Sequence, residues 1–247
     1  MRAINRRAFL RLASVGATSL TILRRLGASE APRSHPNVIF IYSDDMGFGD
    51  PSCYGNKEVL TWNIDRLAHD GTRFTEFHVA SPICSPSRVA VTTGMYPARW
   101  QINDFLHERK ANHEHEQMDW LDPKAPSLAR TLKTAGYATA HFGKWHMGGG
   151  RDVKDAPLPS AYGFDESLVS SHPLEGMGPA LDPKVPRHET TAAFVDRTTD
   201  FIRRANGRPF YVNLWPMDVH TPHVPDPERL PQFDNVPKGH RNFDAVL

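Results

Sequence analysis

Three short clusters bring together side chains that can do chemistry. Asp44 and Asp45 are adjacent carboxylates at the end of an apolar run. They repel each other, and a hard divalent cation, Ca2+ or Mg2+, would relieve the repulsion through oxygen ligands. A turn aided by Gly47 and Gly49 accounts for the pair equally well. Cys84 lies four residues before Arg88, with Pro86 between them. Proline favours a first helical turn, so Cys84 falls at a helix N-terminus, where free N–H groups draw anions. Arg88, one turn on, would point back to the same spot. A small buried side chain, or a disulfide with Cys53 in an oxidising compartment, is the competing reading. The third cluster comprises Lys144 and His146, with Asp218, His220 and His223 further along.

These groups need a scaffold, and the sequence outlines one. Residues 37–42, 137–142 and 210–215 are short β-branched and aromatic runs, the pattern of strands buried on both faces of a parallel sheet. Helices are predicted over 63–70, 85–93, 127–135 and 190–205. Gly71, Gly94 and Gly136 stop the first three, and Ser127 caps the third. Alternation of this kind specifies an α/β sandwich. Ligands in such sheets bind beyond the carboxyl ends of the strands, where Asp44 and Asp45, Lys144 and His146, and Asp218, His220 and His223 fall after the three runs. Residues 148–186 have weak periodicity and are expected to form a long surface excursion that could shape a pocket.

Composition narrows the function classes. Lys plus Arg number 29 against 28 Asp plus Glu among 247 residues, which argues against a nucleic-acid binder. No apolar run reaches the roughly 18 residues of a membrane span. The 21 prolines exceed the usual ~5% and gather late, which predicts a loop-rich second half. Two cysteines do not make a disulfide scaffold.

The motifs are more specific than the composition. Cys84-Ser85-Pro86-Ser87-Arg88, followed by Thr93-Gly94-Met95-Tyr96-Pro97-Ala98-Arg99, resembles the Cys-x-Pro-x-Arg signature of the sulfatase family. Gly136 through Lys144-Trp145-His146 resembles that family's second signature. The stretches 37–47 and 63–68 look familial too, and the likeness runs from Pro36 to the end. Trp62 departs from the family's usual proline, which bears on a helix start.

The resemblance implies an alkaline-phosphatase-like sandwich with a mostly parallel central sheet flanked by helices. It implies that Cys84 is oxidised to formylglycine, whose hydrate attacks the sulfur of a sulfate ester. Asp44, Asp45 and the modified residue 84 would ligate Ca2+, with Mg2+ second. Arg88 would hold the formylglycine, Lys144 would bind sulfate oxygens, and His146 would orient the diol. His220 would act as general acid or bind sulfate. The family also has a second Asp-Asn metal pair and a second lysine, which it places beyond Leu247. Residues 36–247 are therefore expected to be the N-terminal part of a catalytic domain, incomplete on its C-terminal side. Two alternatives are a non-catalytic fragment and a phosphate or phosphonate ester hydrolase of the same superfamily.

Asn5-Arg6-Arg7-Ala8-Phe9-Leu10, followed by an apolar stretch, resembles a bacterial twin-arginine export signal over residues 1–31. A basic amphipathic helix is the alternative. Export would place the protein in the periplasm or outside the cell. The implied partners are the twin-arginine translocase, a formylglycine-generating or sulfatase-maturating enzyme, and a sulfate ester, with sulfated polysaccharide favoured. His107, His113 and His115 with their neighbouring glutamates match no zinc spacing and are expected in a solvated loop. His141 is expected to pack on its strand, and Cys53 to be an ordinary thiol. His172 and His223 could meet substrate.

Overall fold

The structure is a computed structural model and describes residues 35–169, 181–236 and 240–247. The export-signal segment and His172 lie outside the described residues. Residues Asn37–Leu247 form one compact unit.

Its centre is a sheet of β1 (Val38–Ile41), β2 (Ala138–Gly143), β3 (Glu166–Val169) and β4 (Phe210–Trp215). The spatial order is β1-β4-β2-β3 and every pair is parallel. The three expected strands are all present, displaced by at most one residue. β2 runs on to Gly143, which pairs with Trp215.

β2 and β4 are buried throughout, so the polar side chains of Thr139, His141 and Asn213 lie inside with the apolar ones. Ala138, Ala140, Phe142, Phe210, Val212 and Leu214 face one layer, packed on Phe194 and Phe201 of helix α5 (Thr190–Ala205). The opposite layer joins Tyr137, Tyr211 and Trp215 to Val89 of α2 (Cys84–Thr93) and Ala129 of α4 (Leu128–Thr134). Ser127 caps α4. Its Oγ accepts from Arg130 N at 3.5 Å and donates to the Tyr162 carbonyl at 2.6 Å.

Helix α1 (Trp62–Asp70) begins one residue before the expected start, and Trp62 itself is exposed. Two expectations need correction. The segment 148–186 contains β3, a half-exposed edge strand too short for periodicity to reveal. The His/Glu-rich stretch contains α3 (Arg109–Glu114), a short helix with Lys110 and Glu114 paired at 3.8 Å one turn apart. At the other edge of the sheet, β1 leaves Ile39 and Ile41 exposed at 47% and 56%. Among the described residues, no helix is long and apolar enough to cross a membrane.

Candidate functional site

The carboxyl ends of β1, β4 and β2 lie side by side, and backbone bonds fix their relative positions. Asp44 N donates to the Pro216 carbonyl at 3.3 Å, and Lys144 N donates to the Trp215 carbonyl at 3.0 Å. Gly143 makes the second bond possible. Its φ is 120°, and a Cβ there would overlap the Trp215 backbone. Asp45 and His146 also take left-handed backbone angles, φ 64° and 51°, uncommon for side-chain-bearing residues.

Asp44 is the hub. Its Oδ1 accepts from Arg88 Nη2 at 2.9 Å and its Oδ2 from Lys144 Nζ at 2.5 Å. All three side chains are almost wholly buried, at 4%, 1% and 3% exposure. Burial pushes the Asp44 carboxyl up, but the Arg88 guanidinium and Lys144 ammonium outweigh it and hold the pKa below its ordinary value. Two buried cations share one buried carboxylate, so the cluster carries an excess positive charge. Arg88 Nε has no hydrogen-bond partner among the described residues.

Arg88 is held at both terminal nitrogens and across its guanidinium face. Its Nη1 donates to the Lys144 carbonyl at 3.1 Å. The guanidinium lies 5.0 Å from the Trp215 ring centroid and 5.7 Å from that of Tyr42. Tyr42 in turn shares a 2.5 Å hydrogen bond with Ser87 of the same helix. Arg88 therefore engages Asp44 and Lys144.

Cys84 is the first residue of α2, after an extended Ile83. It is a half-buried free thiol, as is Cys53, so the disulfide reading falls away. Burial pushes the Cys84 thiol above its ordinary pKa, aided by Asp44 and opposed by Lys144 and Arg88. The unmodified residue is therefore a neutral thiol near pH 7, a weak nucleophile.

His146 is neutral as well. Burial, and then Lys144, push its pKa down to about 3. Its Nε2 donates to the Leu106 carbonyl at 3.1 Å, so Nδ1 is the bare acceptor. That buried Nδ1 has no partner. Leu106 is anchored to α2 through its N–H, which donates to Ser85 Oγ at 3.0 Å.

His220 completes the group. Its Nδ1 donates to the Thr221 carbonyl at 2.6 Å, leaving Nε2 3.9 Å from Asp44 Oδ2 and 3.7 Å from Asp45 Oδ2. Arg187 holds the His220 loop by donating to the carbonyls of Met217 and His220 at 2.9 and 2.6 Å. Nothing in the sequence pattern singles out Arg187, Leu106 or Tyr42 as supports.

Asp218 and His223 do not join this group. Asp218 lines a separate cavity of about 590 Å³ with His188 and Asp226. His223 Nε2 donates to the Val219 carbonyl at 3.2 Å, and its ring packs on Phe243. His141 packs as expected, buried edge-on against Trp145 and Trp215.

Residues 36–243 match the family model described as Sulfatase. The chain is 40% identical over 151 residues to the steryl-sulfatase of Mus musculus, covering 57% of this chain and 23% of that protein. It is 33% identical over 228 residues to the human (Homo sapiens) N-acetylgalactosamine-6-sulfatase, covering 80% of this chain and 42% of that one. The fold superposes with a TM-score of 0.71 on the crystal structure of Ps i-CgsB in complex with k-i-k-neocarrahexaose. That match has 26% identity and covers 86% of this chain and 52% of the other. The chain thus spans less than half the length of these two curated relatives and about half of the solved chain.

Proposed function

The chain belongs to the sulfatase family, and on that premise we propose that its site serves the hydrolysis of sulfate esters. The observation that carries the proposal is the excess positive charge of the buried Asp44–Arg88–Lys144 cluster. Buried charges need partners. A sulfate group would supply the missing negative charge and acceptors for Arg88 Nε and the Lys144 ammonium.

The setting of residue 84 supports the role that the family resemblance gives it. Converted to formylglycine, it would supply an oxygen nucleophile suited to sulfur, which a neutral thiol does not. The surroundings fit that group. His146 offers a buried, unpartnered Nδ1 acceptor, which could take a bond from a hydroxyl donor. Held by Leu106, the imidazole needs no reorientation to accept that bond.

The site also fits a hard cation in kind. Asp44 and Asp45 present carboxylate oxygens, and each Asp44 oxygen, already accepting one bond, keeps a lone pair free. These two residues, with the modified residue 84, would hold Ca2+ ahead of Mg2+, and the ion would supply Lewis-acid polarisation.

Lys144 would bind the sulfate oxygens and stabilise charge that builds on them in the transition state. Arg88, clamped between Trp215 and Asp44, would hold residue 84. His220 can exchange a proton only at Nε2, because Nδ1 is committed to Thr221. That atom would protonate the leaving alcohol.

Sulfated carbohydrate is the favoured substrate class, in line with the relatives named for a sulfated sugar and the neighbour solved with an oligosaccharide. A maturation enzyme acting on Cys84 and export to the periplasm or beyond through the twin-arginine route belong to the same proposal.

The test has two readouts. The protein is produced together with a formylglycine-generating enzyme, and the peptide containing Cys84 is weighed. An aldehyde mass is expected, and turnover of an aryl sulfate should far exceed that of the matching phosphate. An unmodified Cys84, or a preference for phosphate, would overturn the reading.

A further inference from the structure

A second cluster of potential ligands shares no residue with this site and is independent of the sulfatase reading. Glu58, in the loop before α1, meets His240 and Asp244. His240 is the N-cap of α6 (Arg241–Val246), and Asp244 stands four residues later, one turn along the same face. The ligand atoms of the three side chains lie within 4.8 Å of one another. His240 Nδ1 and Glu58 Oε2 are 3.2 Å apart. Two ligands held at about 2.0–2.1 Å on one tetrahedral zinc stand about 3.3 Å apart, so this pair is already at a bound spacing.

Asp244 supplies the second, independent observation. It is 4% exposed, and its Oδ2 has no hydrogen-bond partner. A carboxylate this deep normally finds donors. Here its surroundings are hostile: burial pushes its carboxyl up, Glu58 and Asp50 add to the effect, and His240 alone opposes it. Glu58 and His240 remain about half exposed, which leaves an entry path for an ion.

We propose that Glu58, His240 and Asp244 form a binding site for a first-row transition-metal cation, Zn2+ above all. One imidazole and two carboxylates suit zinc, whereas calcium and magnesium favour all-oxygen sites. A water would take the fourth position. The ion would tie α6 to a loop 182 residues earlier in the chain, a structural role in which binding adds to folding stability.

The test is calorimetric titration of Zn2+ into the whole protein with Ca2+ present in excess. One Zn2+ per chain is expected, with a rise in melting temperature. His240→Ala and Glu58→Gln, both at exposed positions, should each weaken binding at least about tenfold. Asp244→Asn, which keeps shape but loses charge, should do the same. Asp45→Asn should leave zinc binding intact. Co2+ in place of Zn2+ should give the visible absorption of a tetrahedral centre, lost in His240→Ala. Absence of Zn2+ binding by the unaltered protein, unchanged affinity in the folded variants, or loss of binding in Asp45→Asn would each overturn the site.

Discussion

A single buried carboxylate, Asp44, organises the charge of the proposed active site. Removing one of its two cationic partners should therefore do more than remove a contact. Lys144→Ala is expected to lower kcat/KM for an aryl sulfate by about 10²–10³ or more, as when a charge-stabilising donor is lost. Steady-state kinetics at equal protein folding would check this, and near-normal turnover would remove Lys144 from its assigned role. A second consequence concerns acid. His141 is buried on β2, and burial, followed by Arg88, pushes its pKa from the ordinary 6.5 to about 3. The unfolded chain therefore takes up a proton before the folded one. Stability from this group is fully present above about pH 6.5, falls as pH drops, and is spent near pH 3. His146 contributes in the same direction. Urea midpoints between pH 7 and pH 4 should fall for the native protein and fall less steeply for His141→Gln. The candidate residues were proposed from the sequence because Cys84, Arg88, Lys144 and His146 sit in two long motifs, and the structure brings Arg88 and Lys144 together on Asp44. Their supports were not. The Leu106 carbonyl that fixes the His146 tautomer, and Arg187 behind His220, are tertiary contacts that no local pattern encodes.

At the scale of elements, the site exists because three strand ends are level. Gly143 sets that level by letting the Lys144 N–H reach the Trp215 carbonyl. Gly143→Ala is expected to destabilise the fold by several kcal/mol, on the order of 3, through strained backbone and overpacking. Its loss of activity should exceed what the remaining folded fraction explains, as thermal melts and activity measured on the same sample would show. Ser127→Ala should cost about 1–2 kcal/mol by removing the α4 cap and orphaning the Tyr162 carbonyl. Denaturant titration with an unchanged m-value would confirm a purely local loss. The central strands were readable as short runs rich in β-branched and aromatic residues, although β2 also carries the polar Thr139 and His141. β3 was hidden because an edge strand of four residues, with Val169 alone buried, carries neither alternation nor an apolar run. α3 was hidden for a related reason: its Arg-Lys-Ala-Asn-His-Glu sequence has no apolar stripe and is held by ion pairs and a buried Asn112.

At the scale of the whole sheet, and among the described residues, the central strands are covered and one edge is bare. α5 covers β2 and β4 with Phe194 and Phe201, but Ile39 and Ile41 on β1 remain exposed. Among the described residues β1 is also an edge strand, so backbone groups unpaired within them run beside exposed apolar side chains. Such edges pair with other chains unless charged or covered. The expected outcome is concentration-dependent self-association of this chain, reduced by Ile41→Lys without loss of melting temperature. Light scattering across a dilution series would measure it, and a variant that associates as strongly as the native chain would clear β1 of blame.

The indole of Trp215 makes the site optically addressable. A guanidinium 5.0 Å from its ring centroid imposes a local field on the ring, and any anion that neutralises Arg88 changes that field. Binding of inorganic sulfate should therefore shift or quench tryptophan emission in a saturable way, with the response absent in Trp215→Phe. The protein would thus carry its own built-in fluorophore for occupancy, usable before any substrate is known.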